Sequence, residues 1–125
     1  MNEATVEIES QTGHERCLVQ LKAREIPDRA FELEITPTPA IVSTSENEFE
    51  SNSIRILCGS GLAYARSQLQ LAGGLDVKIV RIEGEVSRQN ERGVSLAVAI
   101  AVAVATGKDH SELIDSQAEW TLSPL

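Results

Sequence analysis

The run from Val94 to Thr106 is almost wholly Val, Ile, Leu and Ala, and it constrains the fold more than any other stretch of the chain. So greasy a segment has to be covered on nearly every side in a soluble protein, so it is expected to form the core. Its pattern is ambiguous. Ser95, Ala97, Ala99, Ala101, Ala103 and Ala105 alternate with Leu96, Val98, Ile100, Val102 and Val104, which is the period of a strand. Helix is the better reading, because alanine is the strongest helix former and a bare strand of this length invites aggregation. Gly107 then supplies a C-terminal cap. The run falls short of the ~20 residues that a membrane-spanning helix needs.

The segments before it supply the sheet. Thr5–Glu9 alternates apolar and acidic residues, the mark of a half-buried strand. After a Ser10–His14 turn, Cys17, Val19 and Leu21 alternate with Gln20 and Lys22. Pro27-Asp28 marks a second connection. Phe31, Leu33 and Ile35 then alternate with Glu32 and Glu34. Three such runs joined by short turns predict an antiparallel meander with one wet, acidic face. Pro37 and Pro39 end the pattern, and residues 36–50 read as a polar loop carrying Glu46, Glu48 and Glu50. Ser51 or Ser53 is placed to cap the next element. From Ile54, the positions Leu57, Cys58, Gly61, Leu62, Ala65, Leu69 and Ala72 have the spacing of a helix buried on one side, ended by Gly73-Gly74. Gly59 and Gly61 are unfavourable there by about 1 kcal/mol each, which signals close backbone packing or a late helix start. Asp76–Val86 is a fourth strand. In the tail, Asp109–Ile114 reads as a capped helical turn, and Trp120 is expected to dock residues 109–125 onto a domain formed by residues 1–108.

Taken together, the order strand, strand, strand, helix, strand, helix specifies an α+β two-layer sandwich: a four-stranded βββαβα sheet with two helices packed on one face. A chain of 125 residues can bury such a core as one domain. Its formal charge of −8 argues against a broad anionic partner, leaving only a local basic patch for RNA and none for a membrane surface. The two cysteines, Cys17 and Cys58, have no CxxC or Cys/His company and read as reduced, buried thiols. The first residues lack the basic and apolar regions of a signal peptide, so a cytoplasmic location is expected.

Glu7-Ile-Glu-Ser-Gln-Thr-Gly-His14, followed by Cys17–Leu21, Pro27 and Phe31-Glu32, resembles domain IV of elongation factor G. Asp76–Val80 and Gly84 resemble that domain's fourth strand and its tip, and the Ala-rich helix from Gly93 resembles the helix after it. The resemblance spans about residues 3–107. It implies a left-handed crossover between the third and fourth strands, against the usual rule. It also implies a non-enzymatic, translation-related binding module whose 84–93 loop reaches ribosome or RNA. The candidate RNA-binding residues are then Lys78, Arg81, Arg88 and Arg92, able to reach phosphate by charge-assisted hydrogen bonds. There are departures. The Gly-rich first loop of the family is reduced to Thr12–Glu15, the second tip loop has no histidine, and GxxxxGK[ST] is absent, so no nucleotide is expected.

Two other readings compete. The acidic face formed by Glu7, Glu9, Glu32 and Glu34 suits a basic protein partner or self-association. Gly93-Val94-Ser95 also resembles the serine of Lon-type proteases, a hydrolase reading that needs a lysine beside Ser95. Lys108 lies at the other end of the predicted helix, ~20 Å away at 1.5 Å per residue. Ser95 is therefore read as a packing residue and no catalytic residue is expected. His14 and His110 have no partners at ligand spacing, so no metal and no cofactor is expected.

Overall fold

The first two alternating segments form strands that turn most of their apolar members to one side. A computed structural model describes residues 2–10, 15–26, 32–35, 51–69, 71, 74–85, 92–111, 113 and 120–123. Strand β1 (Asn2–Ser10) buries Ala4, Val6 and Ile8, and β2 (Arg16–Ile26) buries Cys17, Val19, Leu21 and Ala23. They pair antiparallel with Val6 opposite Val19 and Ile8 opposite Cys17, so the two apolar rows fall on the same face. The remaining elements are β3 (Glu32–Ile35), α1 (Ser51–Leu69), β4 (Gly74–Glu85), α2 (Arg92–Thr106) and β5 (Trp120–Ser123). The βββαβα two-layer sandwich expected from the sequence is present, with a short strand from the tail added to it.

The meander is not. The sheet runs β3-β4-β2-β1-β5, so β2 pairs with β4 rather than with β3. Length explains the choice. β4 has twelve residues and matches the eleven of β2 from Arg16–Glu85 to Ile26–Gly74, whereas β3 has four. A long partner satisfies more backbone groups and buries a longer apolar row. The short β3 is left to pair with the outer edge of β4, in parallel, with α1 as the connection that parallel neighbours require. At the other edge, β5 pairs antiparallel with β1, and Trp120 is buried.

Helix α2 answers the ambiguity of the apolar run. Eleven of its residues are buried, and alternation disappears because almost every direction around the helix is covered. It lies across β1 and β2, with α1 packed beside it. Gly61 is the point of closest approach: a methyl added there would stand 2.5 Å from the Ser95 carbonyl oxygen and 3.0 Å from Val98 Cβ. The close packing signalled by the glycines is thus realised at Gly61. Helix α2 ends as expected on Gly107, whose φ is 72°; Lys108 N–H donates to the Ala103 carbonyl and Gly107 N–H to the Val104 carbonyl. That is the paired bonding of a Schellman cap. Helix α1 stops at Leu69, earlier than the periodicity suggests, and Gly74 opens β4 instead of closing the helix. In the tail, the Asp109 carboxylate accepts hydrogen bonds from Ser111 N–H and Oγ at 3.0 and 2.9 Å, capping the helical turn whose Leu113 is buried. The 36–50 loop with Glu46, Glu48 and Glu50, and also His14 and Arg88, lie outside the described residues.

Candidate functional site

Both helices sit on one face of the sheet, so the polar positions of β1, β2 and β4 line the other. A single-residue irregularity decides which residues reach it. Leu21 is opposite Ile79 while Gln20 is opposite Arg81, which leaves Val80 as an extra residue in β4. Ahead of this bulge Val77 and Ile79 are buried; after it Ile82 is. In an unbroken alternation Arg81 would follow Val77 and Ile79 into the core. The bulge turns it outward.

Charges on this face fall into cross-strand rows. Lys78, Lys22 and Glu3 occupy successive register positions on β4, β2 and β1. Around them, Arg24 pairs with Asp76 at 3.0 Å, Arg16 with Glu7 at 3.3 Å and Arg81 with Glu83 at 3.3 Å, while Gln20 donates to Glu3 at 3.0 Å. Glu7 and Glu9 lie on β1 and Glu32 and Glu34 on β3, with β2 and β4 between. The four glutamates of the expected acidic face are therefore split into two borders, separated by strands that carry Arg16, Lys22, Arg24, Lys78 and Arg81.

The basic candidates are split as well. Lys78 and Arg81 are exposed on β4, but Lys78 is seven residues before the strand's end, ~23 Å along it at ~3.3 Å per residue. Arg92 is exposed at the first position of α2, with no ion pair or hydrogen bond to its guanidinium among the described residues and no acidic residue in the first turn of the helix. Gly84, beside the end of β4, has φ 144° and lies directly against the Arg16 carbonyl, where no side chain would fit. Lys22 was not singled out from the sequence. Its outward phase is readable in β2, but its position opposite Lys78 depends on the pairing of β2 with β4.

Where Arg92 begins α2, a cleft of about 370 Å³ opens between the helices, lined by Ile56, Leu57, Ser60, Tyr64, Arg92, Ser95 and Leu96. The Ser95 hydroxyl donates to the Leu57 carbonyl at 2.8 Å, tying α2 to α1. Lys108, the residue a Ser–Lys reading would need, is ion-paired to Glu25 at 3.4 Å beyond the opposite end of α2. Cys17 and Cys58 are buried and outside any disulfide, and burial, with Cys58 and Glu7 adding to it, pushes the Cys17 thiol up to about 12. Hydrogen bonds from the Ser111 backbone and side chain hold the exposed Asp109 carboxyl below its ordinary value. Among the described residues, no helix is long and apolar enough to cross a membrane.

Against models of known protein families the chain matches none, and no curated protein matches it either.

Proposed function

We propose that the chain is a non-enzymatic binding module of the elongation factor G domain IV type, which works in translation in the cytoplasm by touching ribosome or RNA where β4 hands over to α2. The observation that carries the reading is Arg92: exposed, free of ion pairs among the described residues, and at the first position of a helix with no acidic residue in its first turn. A guanidinium beside the positive end of a helix favours phosphate oxygen, through charge-assisted hydrogen bonds and the helix dipole together. The βββαβα order and the parallel β3–β4 pair joined through α1 support the same reading. The formal charge of −8 restricts the contact to a local one that salt weakens. The Ser95 hydroxyl is committed to the Leu57 carbonyl, which favours a module without hydrolase chemistry.

Titration of the labelled protein with ribosomal RNA fragments, followed by heteronuclear NMR at low and then moderate salt, tests this. Shifts centred on residues 84–93, reversed by salt and lost in the Arg88→Ala/Arg92→Ala double variant, are expected. Silence at those residues would sink the RNA reading and turn attention to the glutamate border of β1 as a surface for a basic protein.

A further inference from the structure

The geometry points to the cleft between α1 and α2 as a binding site for a small amphipathic anion: an apolar monocarboxylate with a compact hydrocarbon body. At about 370 Å³ the cleft lies in the lower part of the ~300–1,000 Å³ range of small-ligand sites. Its walls are mainly apolar. Ile56, Leu57 and Tyr64 come from α1 and Leu96 from α2, with Ser60, Ser95 and Arg92 as the polar members. Leu57 and Leu96 belong to the buried core and form a firm floor. Ile56 is 68% exposed, more than any other large apolar side chain among the described residues, and it stands at this cleft. An isoleucine left in water beside a concave apolar surface gains by being covered.

Charge complementarity selects the occupant. Among the described residues that line the cleft Arg92 is the only charged one, and none of the described residues neutralises it. A purely apolar guest would leave the guanidinium unsatisfied at its edge. A polyanion would bring charge into apolar walls. One carboxylate on a hydrocarbon body satisfies both parts of the site: the body covers Ile56 and Leu96, and the carboxylate pairs with Arg92 in the two-pronged geometry that guanidinium offers. Ser95 does not compete for the carboxylate, since its proton is given to the Leu57 carbonyl.

The site shares Arg92 with the RNA reading, and Ile56 on α1 separates the two, because it can be changed without altering the basic loop. The full-length protein is titrated with octanoate and, separately, with 1-octanol, and amide shifts are followed by NMR. Octanoate is expected to shift residues 56–64 and 92–96 and to bind at least ~10-fold more tightly than the alcohol, the value of one charge-assisted hydrogen bond at ~1.5 kcal/mol. Arg92→Gln brings octanoate down to the level of the alcohol. Ile56→Asp, at a position exposed enough to leave the fold intact, abolishes the shifts at both helices. Equal binding of acid and alcohol, shifts located elsewhere, or no shift from either compound at millimolar concentration would each overturn the assignment.

Discussion

Gly93 lies against the indole ring of Trp120, so closely that a single methyl on the glycine would overlap the ring. This contact joins the start of α2 to β5 and makes the tail part of the sandwich. Trp120 is 5% exposed and its strand completes the sheet beside β1. Trp120→Ala is expected to cost about 3–5 kcal/mol, the usual loss for truncating a buried tryptophan. Gly93→Ala is expected to cost about 1–3 kcal/mol by overpacking. Since both act by displacing one ring, the double variant should lose less than the sum of the two. Urea denaturation of the four proteins measures this; strict additivity would show that the ring is not what links them.

The two helices are fastened at Gly61 and Ser95. Gly61→Ala puts a methyl 2.5 Å from a backbone oxygen, which cannot rotate away, so the helices must separate. A loss of about 1–3 kcal/mol is expected. Ser95→Ala removes only the hydrogen bond to the Leu57 carbonyl and should cost about 1 kcal/mol, with the fold unchanged by NMR. The ranking matters more than either value: a Ser95→Ala loss as large as that of Gly61→Ala would mean that the hydroxyl has a larger structural role than one helix tie.

Local features of the fold were legible in the sequence, and the choice of partners was not. The strand phases of β1 and β2 and the capping glycine Gly107 follow from neighbouring residues, whereas Gly59 and Gly61 carry the same signal and only contact with α2 separates them, Gly61 lying against Ser95 and Gly59 against nothing. The pairing of β2 with β4 depends on strand length and on residues 48 to 69 positions apart, and it undid the meander. Four residues, Trp120–Ser123, are too few to carry a period, so β5 emerges only once β1 offers an edge. The site follows the same division. Arg92, expected within the 84–93 loop, is instead the first residue of α2; that Lys22 faces Lys78, or that Ile56 borders a cleft with Leu96, depends on how distant elements pack. The bulge at Val80 left a trace, a change of phase between Ile79 and Ile82, which has meaning only against the unbroken alternation of β2.

Lys22 and Lys78 are direct register partners, and neither has an ion pair among the described residues. Like charges opposite one another on a sheet oppose pairing. Lys22 also faces Glu3 on its other side, so a single substitution removes an attraction along with the repulsion. The cycle of Lys22→Gln, Lys78→Gln and the double variant isolates the pair, and a repulsion of about 0.2–1 kcal/mol between the two lysines is expected at low salt. The coupling should vanish near 1 M salt, where the screening length falls to ~3 Å. Thermal melts of the four proteins at both ionic strengths check this, and a coupling that persists in high salt would show that it does not come from charge.

Cys17 gives the fold an alkaline limit. Its thiol titrates at about 12 when buried, against an ordinary value of 9.0, because the core desolvates the thiolate and Cys58 and Glu7 add unfavourable charge. The unfolded chain therefore loses this proton first. Between pH 9 and 12 the folded state holds more protons than the unfolded one, so stability falls as pH rises, by at most ~1.4 kcal/mol per pH unit from this group. Below pH 9 the contribution is complete and flat. Urea midpoints measured from pH 8 to 11 should decline in the native sequence and decline less steeply in Cys17→Ala, which has no thiol to ionise there. In the same range, a thiol reagent should modify Cys17 only as fast as the protein opens. Labelling at the rate of a free cysteine near pH 8, or parallel pH profiles for the two proteins, would show that Cys17 is not held in the core as described.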